Sequence, residues 1–253
     1  MTISAKQWQT FTRRLAAINT AAGTKMRQYI DRYGLDDADA LIRYAYALVT
    51  KYGEASTSLA ADMYDAIAAL SGVSLPPAVA APTAAYGDTA AAMYATAASG
   101  SPEQVTAAVE RLTKLPGADT MLRNAIRDKA EFAWIPSGDT CAFCLAIASR
   151  GWQRASQKAM KGGHAEHIHG NCDCMYAIRH DSYTDVAGYD DGARYKAMYD
   201  DAEGRSSKDK INAMRRKFYA ENAEEINAQK RSAYEKRRER ESSAAEEGDA
   251  GTP

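Results

Sequence analysis

The chain has 253 residues, of which 45% are hydrophobic and 26% charged, and its formal net charge is −1 at pH 7. This composition fits a globular protein of one large or two small domains, and the near-zero charge excludes a general attraction to nucleic acid. No run approaches the about 18–20 apolar residues of a membrane span, and the N-terminus lacks a basic segment followed by an apolar one. We therefore expect a protein made and used inside a cell, without a membrane span.

Region 1–75 is predicted to hold two long helices. In the first, Trp8, Phe11 and Leu15 begin a series of apolar residues at spacings of three and four, which indicates an amphipathic helix. Gly34 separates it from a second helix, "DADALIRYAYALVTKYGEASTSLAADMYDAIAAL". The acidic residues at the start of this second segment suit the positive end of a helix dipole.

The segment at 76–100 is predicted to be a linker or an extended arm. It is rich in proline and alanine, and three prolines fall between residues 76 and 82. Proline lacks the backbone N–H that a helix needs and clashes with the preceding turn. A regular helix throughout this segment is therefore not expected.

Residues 101–135 are predicted to form a pair of helices. Ser101 is a suitable cap, Pro102 occupies the first helical position, and a glutamine three residues after the cap completes a capping box. Pro116 and Gly117 are expected to end this helix, because both residues disfavour a helix interior. The second helix of the pair is expected to continue to the next proline.

Region 136–182 differs in composition from the helical regions before it. It contains all four cysteines and all four histidines of the chain. Within it, "CMYAIRH" is short and is expected to alternate between buried and exposed positions, which favours a β-strand. We therefore predict a separate small α+β module with too few apolar residues for a large core of its own.

The cysteines and one histidine of this module have the spacing of a zinc site. Cys141 and Cys144 form a C-x-x-C pair, and His169, Cys172 and Cys174 form a second group. A tight turn brings a C-x-x-C pair to one tetrahedral ion, and alternate residues of an extended segment face the same side. A reducing cytosol disfavours disulfides, so metal ligation is the preferred interpretation. Five candidate ligands thus compete for the four positions of one structural Zn²⁺ per chain.

Other interpretations of these residues stay open. A thioredoxin-like redox pair requires a βαβ pattern, which is absent here, and simple buried cysteines would not need the histidine. A metal-dependent nuclease would use His164, His167 or His169 to activate water beside a second cation. His180 has no partner that the sequence identifies. We find no P-loop, no dinucleotide-binding motif and no nucleophile elbow, so no catalytic residues are assigned and we expect a protein that is not an enzyme.

Region 183–240 is predicted to be a polar segment with a short helix at 193–201, followed by a basic repeat helix. "INAMRRKFY" and "INAQKRSAY" recur with a period of 15 residues, which returns to nearly the same helical face. Its apolar stripe is too thin to stabilise a helix alone, so docking on a partner, another copy or nucleic acid is expected, with a solvated charged helix as the alternative. The candidate binding residues are its basic side chains: Arg215, Arg216, Lys217, Lys230, Arg231 and Arg237. The tail at 241–253 is expected to be disordered.

The expected fold class is therefore mainly α with a small α+β module stapled by zinc, long N-terminal helices and a charged C-terminal helix. The string "PSGDTCAFCLAIASRGW", followed after a gap by "HIHGNCDCMYAI", resembles the Mu F-like minor head proteins of tailed phages, particularly those of actinobacterial phages. These proteins are also called minor capsid or head morphogenesis proteins. The residues that carry the resemblance are Pro136, Gly138, Cys141, Cys144, Ala148, Ser149, Arg150, Gly151, His169, Cys172 and Cys174.

The resemblance implies a structural protein of the phage head, located in the virion at the capsid interior or portal vertex and assembled in the cytoplasm of the bacterial host. The implied partners are the portal protein, the major capsid protein and packaged DNA. Asp173 stands where the family often has a basic residue, which argues against a phosphate contact there. The alternatives are a metal-dependent nuclease, a nucleic-acid-binding zinc protein and a component of a capsid maturation protease, although the sequence contains no protease constellation.

Overall fold

The computed structural model of the chain describes residues 3–136, 141–158, 174–181 and 192–221, and a few positions between 223 and 235. The chain divides into two units, 1–197 and 198–253. None of the helices within the described ranges combines the length and the apolar character needed to cross a membrane.

The described residues are mainly helical, as predicted, and include a small sheet. The elements are α1 (Ala5–Tyr33), α2 (Ala38–Leu70), α3 (Tyr86–Ala97), α4 (Pro102–Arg127), β1 (Glu131–Ile135), α5 (Ala142–Ala148), β2 (Gln153–Arg154), β3 (Met175–Arg179), α6 (Gly192–Asp200) and α7 (Ser207–Glu221). The predicted long N-terminal helices, the strand in "CMYAIRH" and the short helix after residue 192 are all present.

Local signals explain the ends of α1 and α2. The Ser4 Oγ accepts the Gln7 backbone N–H at 3.3 Å and the Gln7 side chain accepts the Ser4 N–H at 2.9 Å, which is a complete capping box. At the other end, α1 stops at Gly34, whose φ of 74° is a left-handed conformation that glycine adopts without strain. Asp37 caps α2 by accepting the Ala40 N–H at 2.9 Å.

The prediction of a linker across 76–100 is wrong for its second half, because α3 begins at Tyr86. All the prolines of the segment precede this helix, and the alanine-rich sequence that follows has a high helix propensity. Thr89 and Met93 of α3 are buried, and the helix packs on α2 and α4.

The first half of the segment is not a loose linker either. Residues 76–81, called the strap below, are attached to α2 and α4 through their backbone. Two bonds join Val79 to Asn124: the Val79 N–H donates to Asn124 Oδ1, and Asn124 Nδ2 donates to the Val79 carbonyl, each at 2.9 Å. The Ala81 N–H donates to Thr120 Oγ1 at 2.9 Å, and the Ala78 N–H donates to Asp65 Oδ1 at 2.8 Å. Arg127 donates to the Pro77 and Pro76 carbonyls at 2.9 and 3.0 Å. Side chains of the helices thus replace the neighbouring strand that an extended segment would otherwise need.

The predicted pair of helices at 101–135 is instead one helix followed by a strand. α4 runs through Pro116, although an interior proline costs about 3 kcal/mol. Gly117 lies so close to α2 that a Cβ there would clash with Ser56 Oγ, and this packing outweighs the local preference to stop. Thr120 Oγ1 donates to the Pro116 carbonyl at 2.8 Å. The helix ends at Arg127, and the next residues form β1.

The sheet is antiparallel with the order β2-β1-β3. β3 is buried from Met175 to Ile178, so the predicted alternation of buried and exposed residues in this strand is wrong. The Tyr176 ring contacts Trp134 and Phe132 of β1 edge-on, with ring centroids 4.7 and 5.4 Å away. A strand buried to this extent requires cover beyond its own sheet.

That cover comes from the helices, so the expectation of a separate module at 136–182 is wrong for the described residues of this segment. One apolar cluster joins Trp8 and Phe11 of α1 with Met121 of α4 and with Trp134 and Tyr176 of the sheet. The sheet is therefore an extension of the helical core within the first unit, and its strands need no core of their own.

The helical bundle contains two apolar clusters arranged along its length. The first half of α1 shares a cluster with the second halves of α2 and α4, and the second half of α1 shares another with their first halves. α1 is therefore antiparallel to both other helices. Between the clusters lies a layer of buried polar residues: Asn19, Ser56, Thr113 and Lys114. Within the described part of the chain, Asn19 Oδ1, Ser56 Oγ, Thr113 Oγ1 and Lys114 Nζ have no hydrogen-bond partner.

Candidate functional site

The two cysteines of the C-x-x-C pair lie on the first turn of α5. Cys141 is the N-terminal cap, with extended backbone angles of φ −71° and ψ 155°, and its carbonyl accepts the Leu145 N–H at 3.1 Å. Cys144 is completely buried, whereas Cys141 is half-buried. Because the helix begins directly after Cys141, both thiols belong to its first turn.

Cys174 lies at the end of the sheet where β1 finishes, and the chain continues from that end of β1 to the turn that holds Cys141 and Cys144. Cys174 precedes β3, and the first residue of that strand, Met175, pairs with Ile135, the last residue of β1. The chain therefore leaves β1 towards Cys141 at the same end at which it enters β3 through Cys174. Cys174 and Cys144 belong to one apolar cluster, and Cys141 packs against it.

The other predicted ligands, His169 and Cys172, lie outside the described residues, as do His164 and His167. Among the described residues, which include Cys141, Cys144 and Cys174, no group of three or more potential metal ligands lies close enough together to hold an ion. The thiol chemistry of these cysteines fits a structural zinc site, but the described structure does not bring the three together as one set of ligands. The zinc site stays a prediction.

The end of the first cysteine motif, "ASRGW", has a local structural role. Gly151 has a φ of 67°, so a left-handed turn follows α5, and glycine adopts this conformation without strain. The chain then enters β2. The Arg179 guanidinium lies 4.5 Å from the centroid of the Trp152 ring and pairs with Glu131 at 2.6 Å. Trp152, which follows the turn, is thereby linked to β3 through Arg179 and to β1 through Glu131.

The sequence did not reveal a second polar group, which joins three distant segments. The Tyr64 hydroxyl donates to Asp128 Oδ2 at 2.8 Å, and Arg127 contacts both oxygens of the same carboxylate at 2.7 Å. The His180 ring stands edge-on to Tyr64, with centroids 5.6 Å apart. Tyr64, Asp128 and His180 are 52 to 116 positions apart in sequence, so no spacing pattern could have identified this group.

Burial and charge determine the ionisation of this polar group. Burial, with a contribution from the hydrogen bond to Asp128, raises the pKa of Tyr64, so the phenol stays protonated. Burial by itself would raise the pKa of Asp128, but the hydrogen bonds from Arg127 and Tyr64 outweigh it and lower the pKa overall. Burial lowers the pKa of His180 against the attraction of Asp128. The arrangement is a clamp between α2, the end of α4 and the end of β3.

The basic side chains of α7 occupy its solvent-facing side. Arg215, Arg216 and Lys217 are exposed, and so is Arg231. Lys230 and Arg237 lie outside the described residues. Lys210 of this helix donates to the carbonyl of Tyr199 at 3.1 Å.

Comparison with known proteins gives one result. Residues 2–202 match the family described as VG15 protein, whereas searches of curated proteins and of solved structures found no match. The matched range includes the helical bundle, both cysteine motifs and the sheet. It covers well over half of the chain, and it supports a phage protein without distinguishing the Mu F-like minor head proteins in particular. The chain therefore belongs to the VG15 protein family, a family of phage proteins.

Proposed function

We propose that the chain is a structural minor head protein of a tailed phage, located in the capsid interior or at the portal vertex. It acts in head assembly and in the packaging or delivery of the genome. The observation that carries the proposal is the match to a phage protein family across residues 2–202. The resemblance of the cysteine and histidine motifs to Mu F-like minor head proteins supplies the specific role. The proposed partners are the portal protein, the major capsid protein and packaged DNA.

The architecture suits such a role. α1, α2 and α4 are long helices that share one apolar cluster with the sheet, and the strap ties α2 to α4. A bundle of this kind is a rigid body that can present exposed helical faces to neighbouring subunits. The sequence-independent contacts proposed for DNA belong to the exposed basic residues of α7.

The test is a phage from which the gene has been deleted. We expect fewer infectious particles, heads that lack DNA or fail to deliver it, and rescue by a plasmid copy. In wild-type particles the protein should resist external protease until the heads are opened. A deletion phage that assembles filled, infectious heads, or purified virions without the protein, would contradict the proposal.

We also propose one structural Zn²⁺ per chain, held by four of Cys141, Cys144, His169, Cys172 and Cys174. The C-x-x-C spacing supports it, as does the apolar cluster that Cys144 and Cys174 share and against which Cys141 packs. When bound, zinc would fix the α5 turn relative to the start of β3 and contribute to folding. Native mass spectrometry should find one zinc that a chelator removes only with unfolding. Cys144→Ser should lose it, whereas Ile147→Val, a substitution in the same helix, should keep it; a folded Cys144→Ser protein that retains its metal would refute this site.

The exposed basic residues of α7 favour a second candidate function, that of a nucleic-acid-binding zinc protein. The charge-reversing triple substitution Arg215→Glu, Arg216→Glu and Lys217→Glu should remove most binding to duplex DNA. It should also weaken the dependence of the remaining affinity on salt concentration. Binding that survives this change would exclude α7 as the contact. A plasmid-nicking assay with Mg²⁺ or Mn²⁺ distinguishes the nuclease alternative, because a binding protein leaves the plasmid intact.

A further inference from the structure

A groove lies between the first half of α1 and the second half of α2. Its volume is about 350 Å³. The lining surface is mainly apolar, and its apolar residues are Ile3, Phe11, Leu59, Met63, Ala66 and Leu70. The α2 wall from Leu59 to Leu70 covers about 16 Å at the helical rise of 1.5 Å per residue. This length, three helical turns, matches the distance over which a docked amphipathic helix inserts its apolar residues into a groove.

The two walls of this groove carry opposite charges. Lys6 and Arg14 of α1 line one side and Asp62 of α2 lines the other, and all three residues are exposed. None of them belongs to an ion pair within the described ranges. The first half of α1 also lacks any acidic residue, so nothing on that helix offsets its positive charge there. An occupant that pairs with both walls must itself carry acidic residues on one side and basic residues on the other.

We infer that this groove binds one amphipathic helix of a partner protein. The apolar residues of that helix, spaced i, i+3, i+4 and i+7, enter the groove. Its acidic flank faces α1 and its basic flank faces α2, because the reverse orientation places like charges together. The charge pattern therefore selects the orientation of the helix as well as its composition. This inference does not depend on the proposed role in head assembly.

Two synthetic 18-residue helical peptides test the inference with the full chain. Both carry the same leucine face; the first has glutamate on one flank and lysine on the other, and the second has lysine on both flanks, so that either orientation places like charges beside α1. Fluorescence anisotropy should show the first peptide binding at least about tenfold more tightly. Lys6→Glu combined with Arg14→Glu should reverse this preference. A matched control, Lys25→Glu combined with Arg32→Glu, changes the same charge on α1 outside the groove and should leave both affinities unchanged.

A second variant tests the groove itself. Ala66 lines the groove but is exposed, so Ala66→Phe fills the space without disturbing the core. This variant should keep its melting temperature and lose binding of the first peptide. Equal binding of the two peptides, no binding of either, or binding that Ala66→Phe leaves intact would overturn the inference. A wild-type dimer that Ala66→Phe converts to a monomer would also overturn it, since the occupant would then be a second copy of the chain.

Discussion

The strap provides the most direct test of the forces that hold this fold. Asn124 is only 2% exposed and binds Val79 twice, accepting its N–H and donating to its carbonyl, each at 2.9 Å. Asn124→Ala removes both bonds and leaves the two backbone groups of Val79 without their partner. Each net hydrogen bond contributes about 0.5–1.5 kcal/mol. Because Val79 is 66% exposed, water can replace the lost partner, and we expect the free energy of unfolding to fall by about 1–3 kcal/mol.

Urea denaturation followed by circular dichroism measures this loss, with Gln9→Ala at an exposed position of α1 as the control. Thr120→Val should cost less than Asn124→Ala, because it removes one strap bond, that from the Ala81 N–H, and preserves the side-chain shape. Asn124→Asp keeps the acceptor but turns a second oxygen towards the Val79 carbonyl. Its penalty should grow as pH rises above about 4, where the new carboxyl ionises. A loss of under about 0.5 kcal/mol in Asn124→Ala, equal to the control, would show that the strap does not stabilise the bundle.

Three further predictions concern the interior of the first unit. Lys114→Met should raise the free energy of unfolding by about 1–3 kcal/mol, since it removes a buried ammonium that has no hydrogen-bond partner within the described residues; an unchanged or lower urea midpoint would contradict this. Gly117→Ala should lower stability by about 1–3 kcal/mol, because the new methyl group meets Ser56, and a Ser56→Gly change in the same chain should restore part of the loss. Because the folded-state pKa of His180 lies below its unfolded value, stability should decrease as pH falls through about 6.5 and below. His180→Phe should flatten that dependence, and a pKa of His180 measured by NMR above 6.5 would refute the cause assigned to it.

The sequence was sufficient where the relevant forces act over a few residues. The glycine at position 34 and the cap at Ser101 are both local, and each marks a helix end that the structure contains. The apolar period of α1 predicted its buried face, because a helix repeats every 3.6 residues whatever it packs against. The family resemblance likewise rests on motifs that are contiguous in the chain.

The errors have a common cause. Pro116 was expected to end a helix, but close packing of Gly117 on Ser56 keeps α4 continuous. The prolines of the strap suggested a loose linker, but Asn124, more than 40 residues away, supplies the hydrogen bonds that hold it. In each case a residue distant in sequence contributes free energy that exceeds the local preference.

The site shows the same division between local and distant information. Residue type and spacing alone identified Cys141, Cys144 and Cys174 as candidate ligands, because thiol chemistry and the C-x-x-C turn are local properties. The antiparallel register of β1 and β3 was needed to show that Cys174 lies at the same end of the sheet at which the chain leaves β1 towards Cys141. The clamp at Tyr64, the polar layer around Lys114 and the groove between α1 and α2 likewise required the tertiary structure, because each is assembled from segments that only packing brings together.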